Sequence, residues 1–123
     1  MGKFSFSKKE RLHGRKIIQE LFDKGSSFYL HPFKIICLLH PVQNEGNSQV
    51  LITASSKTFG KAVDRNKIKR RVREGYRLNK EKLLPERKWL IAYIYVAKEI
   101  LPSSLIHQKI GESLVTLNNR NAK

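Results

Sequence analysis

The chain has 123 residues, with 25 Lys plus Arg against 10 Asp plus Glu, a formal net charge of +15. That length supports one domain with a modest core, and its longest apolar runs, Ile35–Leu39 and Trp89–Ala97, are strand-sized and too short to span a bilayer. The N-terminus has charge but no apolar run behind it, so no secretory signal is expected, and the lone Cys37 cannot form an intramolecular disulfide, which fits a buried thiol in a reducing cytoplasm.

In chain order, Leu12–Lys24 carries Leu12, Ile17, Ile18, Leu21 and Phe22 at roughly helical spacing, with Gly25 just past its end. Ser27–Leu30 reads as a short strand. Phe33–Leu39 is a near-continuous apolar, β-branched run, the pattern of a central strand. Pro41–Ser48 is turn chemistry, so Gln49–Ala54 is expected to return antiparallel to that strand. The loop Ser55–Lys61, turned at Gly60, leads into a basic helix over Lys61–Arg77, with Asp64 in its first turn where a carboxylate suits the helix dipole. Pro85 ends that region. Trp89–Ala97 is apolar at both parities, a strand covered on both faces, and Ser103 or Ser104 can cap a last helix bearing Leu105, Ile106, Ile110, Leu114 and Leu117. Residues 1–7 and 118–123 are expected to fray. The sum is one α+β domain spanning residues 1–123, α-β-β-β-α-β-α, with helices packed on a mixed sheet.

The charge is unevenly placed. Lys57–Lys82 holds eleven basic and three acidic residues, and Met1–Lys16 six and one, so the two segments carry +8 and +5 of the total of +15. At about 100° per residue, Arg65, Asn66, Lys69, Arg70, Arg73 and Arg77 fall within an arc of roughly 140°. Ile68, Val72, Gly75 and Tyr76 fill a neighbouring arc of roughly 100°, the width of a core-facing stripe. An ordinary solvated helix mixes signs to gain i,i+4 pairs; this one has only Asp64 and Glu74 against its cations. The pattern points to a polyanionic partner, nucleic acid. A membrane surface would need a broad apolar face or a lipidation signal beside the charge, and Phe6 stands where a myristoylation start requires Ser or Thr.

Catalytic readings find little support. His13, His31, His40 and His107 are scattered, with no pair at metal-ligand spacing. Cys37 has no cationic neighbour in sequence to activate it, most carboxylates lie beside basic residues, and Phe59-Gly60-Lys61 is no phosphate-cradling loop. On residues alone the chain reads as a nucleic-acid-binding protein rather than a catalyst, and a structural RNA-binding protein or a DNA-binding protein, the latter without a helix-turn-helix pair to support it, both stay open.

The stretch Ser56-Lys57-Thr58-Phe59-Gly60-Lys61-Ala62-Val63-Asp64-Arg65-Asn66-Lys67-Ile68-Lys69-Arg70-Arg71-Val72-Arg73-Glu74 resembles the signature of the bacterial ribonuclease P protein subunit, an Arg-Asn-Arg segment followed by a basic run and Arg-Glu. Lys9-Glu10-Arg11-Leu12, Leu21-Phe22-Asp23-Lys24-Gly25 and Pro32-Phe33 extend the likeness to most of the chain, roughly Lys8 to Leu117. The departures are Lys67 as third signature residue, Ile18 and Ile36 where many relatives carry aromatics, Thr58 for a lysine and Ile52 for a frequent glycine.

The resemblance implies a ribosomal protein S5 domain 2-like fold, with a left-handed crossover through the basic helix that general connection rules would not predict. It also implies an accessory role in removing the 5′ leader from precursor tRNA, an endonucleolytic hydrolysis carried out by an RNA subunit with Mg²⁺, the protein holding no cofactor of its own. Its partners would be ribonuclease P RNA and the precursor, with no membrane and no obligate protein partner. The implied RNA-subunit contacts are Lys61, Arg65, Asn66, Lys67, Lys69, Arg70 and Arg73. The implied leader contacts are Ile18, Phe22, Phe33, Ile36 and Lys57, Phe22 being equally well read as core. No catalytic or metal-binding residue is implied on the protein itself.

Overall fold

Strand periodicity sets up the layers of this fold. The computed structural model describes residues 10–41, 48–84 and 87–120; most of the expected turn (residues 42–47), Pro85, and residues 1–7 and 121–123 of the expected frayed ends lie outside these. The elements are α1 (Arg15–Lys24), β1 (Ser26–Leu30), β2 (Phe33–Leu39), β3 (Gln49–Ala54), α2 (Ala62–Asn79), a 3₁₀ turn (Lys80–Lys82), β4 (Trp89–Tyr95) and α3 (Ser103–Asn118). Their order is the one the sequence led us to expect.

The sheet order is β1-β2-β4-β3. β1 pairs with β2 and β2 with β4 antiparallel, while β3 pairs with β4 in parallel. The expected return of β3 beside β2 is therefore corrected. β3 does run opposite to β2, but β4 lies between them. β4 is buried at six of its seven positions, and the centre of the sheet is where a strand apolar on both faces loses most water-exposed area.

Residues of one parity, Phe33, Ile35 and Cys37 on β2 with Trp89, Ile91, Tyr93 and Tyr95 on β4, pack against α2 and α3. Residues of the other parity, Ile36, Leu90 and Ala92, meet Leu12 and Leu21, with Ile17 and Ile18 of α1 against them. The result is a three-layer stack, with α1 on one face of the sheet and α2 and α3 on the other. α2 buries Ile68, Val72, Gly75 and Tyr76, the stripe read from its periodicity. A Cβ on Gly75 would meet Ile110 Cδ1 at 2.6 Å and His107 Cδ2 at 3.0 Å, so the glycine lets α2 and α3 approach.

Several boundaries differ from expectation. α1 begins at Arg15, because Leu12 is drawn to the sheet and its N–H donates to Val50 O at 2.9 Å. Gly25 is extended, not left-handed. Glycine is needed there because a Cβ would lie 2.5 Å from Leu21 O and 2.7 Å from Ile36 Cγ2. α3 starts after Pro102 with no side-chain cap, so neither Ser103 nor Ser104 plays that part. Asn118 to Arg120 are tied down: Asn118 Nδ2 donates to Lys82 O at 2.6 Å, Leu84 N–H donates to Asn118 Oδ1 at 2.8 Å, and the Arg87 guanidinium donates to the carbonyls of Asn118 and Arg120.

Candidate nucleic-acid interface

Of the seven Lys and Arg side chains within α2, three are engaged inside the protein. Arg71 Nη1 donates to Leu101 O at 2.7 Å, joining α2 to the segment before α3. Arg77 pairs with Glu74 at 2.7 Å and, by hydrogen bonding, holds the Glu74 carboxyl below the ordinary carboxylate range. Arg65 Nη1 donates to Phe59 O at 2.8 Å and Gly60 O at 3.1 Å. Arg65 thus braces the loop that enters the helix, where buried Phe59 stacks edge-on against Tyr95, ring centroids 5.9 Å apart.

The remaining cations, Lys67, Lys69, Arg70 and Arg73, have no hydrogen-bond or ion-pair partner among the described residues, and neither does the side chain of the exposed Asn66. They line two concavities. One, about 470 Å³, is bounded by Val63, Asn66, Lys67, Arg70 and Arg73. The other, about 210 Å³, lies at the rim of the sheet between Arg11, Leu12, Val50, Leu51, Ile52, Lys69 and Arg73. Arg73 borders both. Lys61 is exposed just before α2, and its carbonyl accepts the N–H groups of Asp64 and Arg65. Opposite charges would quench such a surface; here the two acids of α2 itself, Asp64 and Glu74, sit at the helix start and on Arg77. The arrangement leaves guanidinium and ammonium groups ready to neutralise several phosphates, with Arg able to hold one through two N–H groups.

The opposite face of the sheet is only partly roofed by α1. Ile18 is half-buried against it, and Phe22, one turn on, is 43% exposed. Ile36 lies on this face but is buried near Gly25. Phe33 is corrected as a surface contact: it is fully buried on the α2–α3 side, edge-on to Tyr93 and Tyr95 at 5.4 and 5.8 Å. Strand alternation carries Lys34 to the α1 side instead. The register places Tyr29, Lys34, Ile94 and Thr53 in one row across the four strands, and Tyr29 is 66% exposed. Lys57, exposed, follows β3 at that same end of the sheet. The sequence reading passed over Tyr29, Ile94 and Arg11. The single charge of Lys34 inside an apolar run was a signal, whereas the row itself exists only once four strands are in register.

Burial raises the Cys37 thiol above its ordinary range, against the opposing field of Arg120, so it is not an activated nucleophile. Among the described residues no three His, Cys, Asp or Glu side chains gather as metal ligands, and no helix is long and apolar enough to cross a membrane.

Comparison with known proteins identifies the family. The sequence model of the Ribonuclease P family matches residues 6–117. A ribonuclease P protein component of Porphyromonas gingivalis is 34% identical over 119 residues, covering 93% of this chain and 87% of the relative. One from Citrifermentans bemidjiense is 45% identical over 76 residues, 62% of each chain. The RNase P protein from Thermotoga maritima superposes with a TM-score of 0.73 at 26% identity, over 91% of this chain and 98% of that one. A Staphylococcus aureus RNase P protein mutant with defective mRNA degradation activity gives 0.72 at 26%, over 89% and 88%. With a family match across nearly its whole length and that family's fold, this chain belongs to the ribonuclease P protein family.

Proposed function

We propose that this protein binds the catalytic RNA of ribonuclease P through the outward face of α2 and receives the single-stranded 5′ leader of precursor tRNA on the sheet face beside α1. Family membership already makes it a component of a tRNA-processing ribonuclease associated with ribonuclease P RNA; the proposal adds which surfaces act and how. The observation that carries it is the set Lys67, Lys69, Arg70 and Arg73, cations with no partner among the described residues on a helix whose other face is core.

The phosphodiester hydrolysis belongs to the RNA and its bound Mg²⁺. The protein's part is electrostatic and positional. Two polyanions repel, and cations on α2 and Lys57 offset that repulsion while releasing condensed counterions. Asn66 offers a donor and an acceptor suited to a 2′-hydroxyl or base edge. Lys61 sits beside the helix start as a further phosphate contact. For the leader, Phe22 and Tyr29 supply rings on which unpaired bases stack, at about 1–3 kcal/mol per base, with Ile18 and Ile94 as flat apolar neighbours and Lys34 and Lys57 for phosphates. Ile36 supports this floor from beneath, and Phe33 takes no direct part.

The test is cleavage of a 5′-extended precursor tRNA by bacterial ribonuclease P RNA at low Mg²⁺, with and without the protein. Correct cleavage that depends on the protein, and that falls in the Lys69→Ala/Arg70→Ala variant, is the expected result. Tight RNA binding without stimulation would indicate a structural RNA-binding role instead.

A further inference from the structure

Arg11 lies outside the basic helix, yet it lines the same rim cavity as Lys69 and Arg73. Its position follows from the chain path. Arg11 bridges Val50 in parallel and Leu12 N–H donates to Val50 O at 2.9 Å, so the described part of this segment meets the outer edge of β3 at Val50. After Leu12 the chain turns away into α1, and no backbone group among the described residues pairs with the outer edge of β3 from Leu51 onward. Groups along a strand alternate in direction. Since Val50 O points outward to Leu12, the N–H and C=O of Ile52 point outward as well, and neither has a partner among the described residues. The cavity lining therefore draws cationic residues from two separate elements, and an apolar part from Leu12, Val50, Leu51 and Ile52, beside a backbone donor and acceptor on a strand edge.

Each feature matches one part of a nucleotide. A phosphodiester needs converging cations. A base edge, with its donors and acceptors side by side, matches a free peptide N–H and C=O. A ring face tolerates aliphatic packing. The cavity, about 210 Å³, is below the size of a drug-like ligand pocket and cannot admit a helix groove or a folded peptide. We propose that the open edge of β3 is a second RNA subsite, in which Arg11, Lys69 and Arg73 grip one phosphate of the RNA subunit and Ile52 pairs with the edge of an adjoining unstacked base. This rests on the RNA-binding reading above and adds a residue and a nucleotide class to it. It also makes Arg73, which borders both concavities, the divider between two strands of RNA held on either side of α2.

The test is a double-mutant cycle on binding of ribonuclease P RNA across a salt series, with folding of each variant checked by circular dichroism. Arg11→Ala and Lys69→Ala should each weaken binding on the order of tenfold and flatten the salt dependence by about one phosphate contact. Because they share one phosphate, the double variant should lose much less than the product of the two. Arg11→Ala with Lys67→Ala, which line different concavities, should multiply. Arg11→Lys, keeping the charge, should restore most of the salt slope. Unchanged binding in Arg11→Ala, or simple multiplication with Lys69→Ala, overturns the subsite. If Arg70→Ala still weakens binding in that case, the reading of α2 survives; if neither it nor Lys67→Ala does, both fail.

Discussion

Arg65 and Arg70 lie five residues apart in one basic run, and the structure gives them different work. Arg65 Nη1 is shared between Phe59 O and Gly60 O, at 2.8 and 3.1 Å, whereas Arg70 is exposed and has no partner among the described residues. A hydrogen bond from a charged donor contributes about 1.5–3 kcal/mol. One donor atom serves both carbonyls and the side chain is half-buried, so the low end applies, and Arg65→Ala should cost about 1.5 kcal/mol of stability, several degrees in Tm. It should loosen the loop that seats Phe59 as well. Arg70→Ala should change stability by less than about 0.5 kcal/mol, yet reduce the slope of log K against log salt for RNA binding by about 0.7–0.9. Urea unfolding and RNA binding across a salt series, run on both variants, separate the two effects. Equal stability of Arg65→Ala and the parent, or a loss in Arg70→Ala as large as that in Arg65→Ala, would refute this division of labour.

Gly25→Ala should destabilise the fold by about 1–3 kcal/mol, since the new methyl meets Leu21 O at 2.5 Å and Cys37 O at 3.0 Å, and backbone cannot step aside as a side-chain tip can; thermal unfolding at parental Tm would contradict that packing. Tyr29→Ala and Phe22→Ala should each weaken binding of leader-bearing precursor by about 1–3 kcal/mol while leaving mature tRNA binding alone, whereas Phe33→Ala should lower stability by about 3–5 kcal/mol; a leader-specific, fully stable Phe33→Ala protein would reverse our placement of that ring. Burial pushes the phenols of Tyr76 and Tyr93 far above the ordinary tyrosine range, for Tyr93 against the opposing hydrogen bond with Ser113. Folded values above unfolded ones mean stability that is whole below about pH 10 and is lost as pH rises toward the folded values. Phenolate absorbance from these two rings should thus appear only together with loss of circular dichroism, and their reversible ionisation in an intact fold would show the burial to be incomplete.

Much of this protein is written locally. Periodicity alone identifies the dry stripe Ile68, Val72, Gly75 and Tyr76, all of which are buried, because a helix repeats its faces every few residues whatever surrounds it. Strand parity marks β4 as covered on both sides for the same reason. The family, too, is legible from the run around Arg65-Asn66-Lys67, since recognition of a polyanion needs a dense charge pattern on one element. What only the tertiary structure decided is which strand neighbours which, and therefore what each side chain faces. β4 enters between β2 and β3 because a strand apolar on both faces buries most at the centre, a competition among distant segments that no local window contains. That choice turns Phe33 inward and Lys34 outward, aligns Tyr29 with Ile94 across three strands, and brings Arg11, Lys69 and Arg73 around one cavity at the edge of β3. It also distinguishes cations of equal charge: Arg65, Arg71 and Arg77 are held by the protein's own carbonyls and carboxylate, while Lys67, Lys69, Arg70 and Arg73 face outward. The sequence specified how much positive charge the helix carries; the packing of loop, sheet and α3 around it determined which of those charges the protein's own groups engage.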